Sequence, residues 1–308
     1  AVGGGSTLDT AKVLAALSSH GDGEAAAERA LETGEVSVAD GGDPLPIVAV
    51  PTTLAGADLS DIAGVTLTLD RDASVEGPHE SGGVGDPRLM PEALFYDPDL
   101  YRTTPASVLA ASAMNGFDKG IEMLYSPHAT PITDGTAARG LRLLQSGLGT
   151  IREDPMDEDR LGDVLAGIVS VQYGLAGADG YRASIIHAFG HGFSHDYDAH
   201  QGTVHGVLAP HVLRYVFSEV DGRRALLADA LGVDTGEQST AELAEAVVDA
   251  VAGVRDDLGL PTALRELDGL SQDDLLAIAE TIHEDSLLAD APVQPSVEEI
   301  RDVLERAW

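Results

Sequence analysis

The chain has no cysteine in its 308 residues, which excludes disulfides and thiolate metal sites. Lysine is almost as scarce: Lys12 and Lys119 stand alone against sixteen arginines. Positive charge is short throughout, with 18 Lys and Arg against 52 Asp and Glu, a formal net charge of −34. That balance excludes a binder of nucleic acid or of an anionic membrane surface, since both need a basic face. No uninterrupted apolar run approaches the roughly 20 residues needed to cross a bilayer, and no charged-then-apolar signal peptide opens the chain. A cytoplasmic protein is expected.

What is present is an ordinary core in an acidic coat. Hydrophobic residues make up 44% of the chain, too many for a disordered acidic tail. The carboxylates run along the whole length rather than gathering at one end. This composition suits a high-salt cytoplasm, where screening over roughly 3 Å at 1 M removes most self-repulsion. Only Ala1 and Val2 precede a glycine run, whereas a strand normally needs about five residues. A preceding piece of the first domain is therefore expected, leaving any nucleotide site here incomplete.

Residues 1–101 alternate between strand and helix patterns. Gly3-Gly4-Gly5 reads as a turn, with Ser6 as N-cap and Asp9 completing a capping box. Leu8, Ala11, Val13, Leu14 and Leu17 carry a helical period, and a second helix is expected over Ala25–Glu32. Ile47–Val50 reads as a buried strand ended by Pro51, Val65–Leu69 alternates like a strand, and Leu94–Tyr96 is a third short run. Asp70–Gly85 reads as an exposed loop. Residues 102–308 turn helical, with helical spacing over Val108–Leu124, Gly135–Arg152, Arg160–Gly177, Ala183–His195, Gly206–Phe217, Ala241–Leu258, Gln272–Ile282 and Val297–Ala307. The predicted architecture is an incomplete α/β dinucleotide-binding domain, 1–101, followed by an all-helical domain, 102–308.

Two regions carry candidate chemistry. A strand, then Gly3-Gly4-Gly5-Ser6, then a helix, forms an anion trap in which bare backbone and free N–H groups meet phosphate. The spacing is not the G-x-G-x-x-G fingerprint. A threonine turn, Pro51-Thr52-Thr53-Leu54-Ala55-Gly56-Ala57-Asp58, follows the next strand, where side chains face a ligand crevice. Lys12 either pairs with Asp9 at i,i+3 or reaches the nucleotide, and the sequence leaves both open. The second region holds six of the ten histidines, from His187 to His211. His187 and His191 share a helix face, His195 continues it, and His200, His205 and His211 follow. Such clustering points to catalysis or metal binding. Ala188 after His187 rules out an H-E-x-x-H metalloprotease motif.

Together these motifs resemble the iron-containing alcohol dehydrogenase superfamily. Gly3–Lys12 is similar to its glycine motif, Pro51–Ser60 to its threonine turn, and His187-x-x-x-His191 with Gly206–Tyr215 to its helical-domain motif. Asp86-Pro87-Arg88, Tyr96-Asp97-Pro98, Ala113-Met114-Asn115, Glu122–Pro127 and the tail Ile300–Trp308 resemble maleylacetate reductases most. The resemblance implies a dehydroquinate synthase-like fold with an interdomain cleft. It also implies an oxidoreductase using NAD(H) or NADP(H) on C=O and CH-OH groups, or on the CH-CH group of maleylacetate. Gly3, Gly4, Gly5, Ser6, Asp9, Thr52, Thr53 and Asp58 would then hold the cofactor, and a homodimer is expected.

Carried over residue by residue, the superfamily's four metal ligands fall on Asn115, Lys119, His187 and Gln201, so three have changed. Two neutral amides and an ammonium make a poor divalent site, and no catalytic metal is expected. A slipped register would pair His187 with Asp118 or Glu122 and restore a metal site. The Lys119 ammonium is expected to take the place of the metal cation, stabilising negative charge on the substrate oxygen and donating a proton, or anchoring a substrate carboxylate. Asn115 and Gln201 would bind substrate, His191 would relay the proton, and His187 and His205 would line the same space. The competing readings are a metal-dependent alcohol or polyol dehydrogenase and a non-catalytic nucleotide-binding homologue.

Overall fold

A computed structural model describes residues 1–33, 35–67, 80–177, 180–194, 197 and 199–308. The chain divides into two compact units, Ala1–Thr103 and Thr104–Trp308. The first is α/β and the second helical, in the order that the sequence pattern predicts.

In the first unit, β1 (Val2–Gly3), β2 (Val48–Pro51) and β5 (Ala93–Leu94) form a parallel sheet in the order β1-β2-β5. Val2 aligns with Val50, Gly3 with Pro51 and Val48 with Ala93. Pro51 thus belongs to the strand it was expected to end. A proline can take that place because the ladder to β1 is donated by Val50 N to Ala1 O and Thr52 N to Gly3 O, and needs no N–H from residue 51. α1 (Gly5–Ser18) and α2 (Gly23–Thr33) supply the helical cover, and the short α3 (Pro98–Arg102) follows β5. Val13, Ala15, Ala16 and Ala30 pack with Val36, Ile47, Ala63, Val84 and Leu89 in one core.

β3 (Ile62–Leu67) and β4 (Glu80–Gly85) form an antiparallel ladder from Ile62↔Gly85 to Leu67↔Glu80. This corrects the expected loop. Three glycines and Glu80 mask a strand that its backbone pairing with β3 fixes. Residues 70–79 of that expected loop, and Thr68 and Leu69 of the expected strand, lie outside the described residues.

Lys12 is fully buried in this unit. Its Nζ donates to the carbonyls of Ala57 at 2.7 Å and Ile62 at 2.8 Å, with Asp9 3.7 Å away. The ammonium ties α1 to the segment leading into β3, and this corrects the idea that it reaches a nucleotide. Burial pushes its pKa down, while Asp9, Asp58 and Asp61 pull it back up.

The helical unit is organised around α4 (Ala106–Tyr125), buried around nearly its whole circumference. A helix covered on nearly all sides lies in the middle of a core, and the polar Asn115, Asp118 and Glu122 are buried with it. It packs on α5 (Pro131–Gly147), α6 (Glu158–Tyr173) and α8 (Gln201–Glu219). α7 (Ile185–His191) leads into α8, followed by α9 (Arg224–Ala230), α10 (Thr240–Leu258), α11 (Leu275–His283) and α12 (Val297–Ala307). The expected helix Arg160–Gly177 ends at Tyr173, because Ala176–Gly177 pairs antiparallel with Gly180–Tyr181. The helix expected to reach His195 stops at His191, and His195 lies outside the described residues. No helix among the described residues is long and apolar enough to cross a membrane.

Candidate functional site

The candidate site in the α/β unit is made of backbone. Gly3 ends β1 with φ at 152°, and a Cβ there would lie 2.7 Å from Thr7 Oγ1. Only glycine is comfortable in both respects. Gly4 is the N-cap of α1. This corrects the assignment of Ser6, which sits inside the first turn, where its carbonyl accepts from Thr10 Oγ1 at 2.8 Å. The capping-box pattern misleads because the glycines themselves enter the helix.

A helix start capped by glycine keeps side-chain oxygens away from its N–H groups, which suits an anion. Thr52 N donates to Gly3 O at 3.0 Å. Thr53 Cγ2 lies 3.0 Å from where a Gly4 Cβ would stand. The glycine and threonine turns therefore lie side by side at the C-terminal ends of adjacent parallel strands, the usual ligand-facing edge of such sheets. A dinucleotide pyrophosphate fits this bare cradle. Asp58 is drawn inward instead: it is buried, and its carboxylate accepts from the Tyr96 hydroxyl. Burial, then the Asp58 charge, raises the Tyr96 phenol well above its ordinary value. Asp9 stays on α1 beside Lys12.

The candidate site in the helical unit is made of side chains. Asn115, Lys119 and Glu122 follow one another along α4 at intervals of four and three, hence on one face. Gly202 lets α8 approach that face, since a Cβ there would collide with Ala111 O at 1.7 Å. The approach brings Gln201 to Asn115, whose Nδ2 donates to Gln201 Oε1 at 3.3 Å. Lys119 is half-buried one turn along α4. Its charge bears on both His187 and His205.

Beneath lies a closed quartet of titratable groups. Glu122 is fully buried. Its Oε1 accepts from the backbone N–H groups of Ile186 at 2.6 Å and His187 at 3.3 Å, and its Oε2 lies 2.5 Å from His187 Nδ1. One carboxylate thereby fixes both the start of α7 and the imidazole it carries. His187 and His205 meet edge to face, ring centroids 4.5 Å apart. His205 Nδ1 is 3.2 Å from Asp118 Oδ2, off the direction of a hydrogen bond. Among the described residues, buried His187 Nε2 has no hydrogen-bond partner.

Burial raises Asp118 well above the carboxylate range, with Glu122 adding to it. Burial also pushes Glu122 up to about 7, against the pull of His205 and the backbone donors. His187 is driven well below its ordinary value by burial and then by the charge of His205. Burial takes His205 down to about 3. Both imidazoles are neutral at pH 7.

The sequence did not single out two of the groups that orient these histidines. Glu122 appeared there as an alternative metal ligand and at the start of the Glu122–Pro127 resemblance, not as a group that orients a histidine. Its signal was a second acid, four residues after Asp118, on a largely apolar helix. Asp285 was not seen at all. Its Oδ2 lies 2.8 Å from His191 Nδ1 across 94 positions of chain, and no local pattern announces such a pair. His200 is the N-cap of α8, and His211 lies within that helix.

A divalent metal does not fit the carried-over positions. Asn115 and Gln201 offer neutral oxygens and already bond one another, Lys119 brings a cation, and His187 alone is a proper donor. Among the described residues, no three His, Cys, Asp or Glu side chains are arranged to hold a metal ion.

Comparisons with known proteins agree with this architecture. The model of the Fe-containing alcohol dehydrogenase family, C-terminal, matches residues 109–308, and that of iron-containing alcohol dehydrogenase matches residues 1–98. The chain is 30% identical over 285 residues to a maleylacetate reductase of Pseudomonas knackmussii, covering 92% of this chain and 67% of that protein. It is 25% identical over 312 residues to an NAD-dependent methanol dehydrogenase of Bacillus methanolicus, covering 99% and 76%. The crystal structure of a maleylacetate reductase from Agrobacterium tumefaciens superposes with a TM-score of 0.72 at 25% identity, covering 100% of this chain and 73% of that one.

Proposed function

The chain belongs to the iron-containing alcohol dehydrogenase family, and from that premise we propose an NAD(P)H-dependent reductase of a ketone or keto acid that works without a catalytic metal. The observation that carries the reading is the hydrogen bond from Asn115 to Gln201, one helical turn along α4 from Lys119. Carried over residue by residue, the resemblance assigns two amides and an ammonium to three of the family's four metal-ligand positions. The names of the maleylacetate reductase and methanol dehydrogenase relatives support a small oxygenated substrate and NAD. Maleylacetate is the substrate to test first.

In this reading Gly3, Gly4, Gly5 and Ser6 hold the pyrophosphate against the start of α1, flanked by Thr52 and Thr53. Asp9 and Asp58 steady that turn from within. Bound NAD(P)H supplies the hydride. Lys119 directs its ammonium at the substrate oxygen and stabilises the negative charge that develops there. Asn115 and Gln201 fix the substrate by hydrogen bonds, and His191 gives the proton that completes the hydroxyl. His187 and His205 stay neutral and shape the wall behind Lys119. The acidic, lysine-poor composition supports work in a high-salt cytoplasm, and the active unit is a homodimer.

The test is NADH and NADPH oxidation with maleylacetate and a panel of short keto acids, before and after exhaustive chelation. Chelator-resistant turnover supports the proposal. Turnover lost on chelation and restored by a divalent ion supports a metal-dependent alcohol or polyol dehydrogenase instead. Nucleotide binding with no turnover on any substrate supports a non-catalytic homologue.

A further inference from the structure

His191 is the last residue of α7, with its side chain 43% exposed, and its backbone is held by Ser194 N donating to His191 O at 3.0 Å. Among the described residues the ring pairs with one group of opposite sign. Asp285, whose side chain is 15% exposed, places Oδ2 at 2.8 Å from His191 Nδ1. The other oxygen, Oδ1, accepts from Leu287 N at 2.8 Å and caps the short 3-10 turn Ser286–Asp290. The cap therefore uses one oxygen and leaves the second for the imidazole. Burial works to raise the Asp285 pKa, but the bonds from His191 and Leu287 outweigh it and hold the group below its ordinary value. An ionised carboxylate only accepts. The hydrogen of neutral His191 must then sit on Nδ1, and its lone pair on Nε2.

We propose that Asp285 is a positioning residue for His191: it fixes the Nδ1–H form and the ring orientation, so that Nε2 is the nitrogen that exchanges the proton with substrate. This rests on the reading of His191 as the proton relay. In the reducing direction the Nε2–H bond of the imidazolium breaks and the new O–H bond forms on the substrate oxygen. Nδ1–H stays on the ring throughout, and Asp285 remains ionised, balancing the imidazolium before transfer. The exposed edge of the ring then recovers its proton from solvent.

The informative variant is Asp285→Asn. Asparagine keeps an oxygen for Leu287 N but presents an N–H donor to Nδ1, which forces the hydrogen of neutral His191 onto Nε2. The analogous change in serine proteases costs about 10⁴-fold in kcat. Here kcat should fall by at least about 10²-fold with KM little changed, and Asp285→Glu should recover part of the loss. The ring ¹⁵N shifts of His191 should show the Nδ1–H form in the wild type and the Nε2–H form in Asp285→Asn, a readout that needs no turnover.

A double-variant cycle completes the test. Added to His191→Gln, Asp285→Asn should cost nothing further, because it acts through the missing ring. Near wild-type kcat for Asp285→Asn beside an impaired His191→Gln overturns the inference alone. So do multiplicative losses in the double variant, or an Nε2–H form in the wild type. Full activity of His191→Gln overturns the relay reading as well.

Discussion

Lys12 and Lys119 are equally rare in the sequence, yet they lie in regions built on different principles. In the α/β unit the candidate site is backbone: glycines, a helix start and two strand ends do the work. The ammonium of Lys12 is turned inward onto the Ala57 and Ile62 carbonyls. In the helical unit the candidate site is side chain: amides, imidazoles and carboxylates gathered from four distant segments, with Lys119 among them. Scarcity of a residue type thus does not by itself separate a stabilising role from a chemical one.

The sharpest way to break this comparison is to remove each ammonium in turn. Lys119→Ala should lower kcat by about 10²–10³-fold, the usual cost of losing one group that stabilises a developing oxyanion, with thermal stability close to wild type. Lys12→Met should do the reverse. It leaves two inward-facing carbonyls without their donor, costing about 2 kcal/mol in urea unfolding, while kcat holds. Swapped outcomes, with Lys12 dominating turnover and Lys119 dominating stability, would invert the assignment.

The buried histidines sharpen the contrast through pH. His205 has its pKa depressed to about 3 from an ordinary 6.5. The unfolded chain therefore binds its proton first as pH falls. The stabilising contribution is complete above 6.5 and is lost progressively down to 3. One such group changes unfolding free energy by about 1.4 kcal/mol per pH unit inside that window. Glu122, raised to about 7, acts in the opposite sense between roughly 4.5 and 7. The difference in urea stability between wild type and His205→Asn, taken at pH 6 and pH 4, isolates the histidine. It should shrink toward low pH, and a constant difference would contradict neutral burial.

The smallest expected effect is ionic. Raising NaCl from 0.1 M to 2 M should lift Tm by several degrees, through screening of a net charge of −34. A fall in Tm would reject the high-salt reading.

Much of this was legible in the sequence for physical reasons. Helical period located α4, α8, α10 and α12, because one wide apolar face repeats over many residues. The glycine and threonine turns were readable because backbone chemistry is local: a bare turn, a strand end and a helix start are neighbours in the chain. The Gly4 cap was not, since Ser6 carries the stronger capping signal and packing of Gly4 against Thr53 decides otherwise. The strand Glu80–Gly85 was hidden because its order comes from β3, not from its own residues. Asn115 and Gln201 could be paired only through resemblance. Asp285 could not be found at all, as its partner lies in a helix that ends 94 residues earlier.

The most direct measurement is the reductase rate of the full-length protein after prolonged chelation, with bound metals counted in the same sample by mass spectrometry. The account expects an unchanged rate with far less than one metal per chain, and an abolished rate in Lys119→Ala. A stoichiometric divalent ion whose removal stops turnover and whose return restores it would contradict the account.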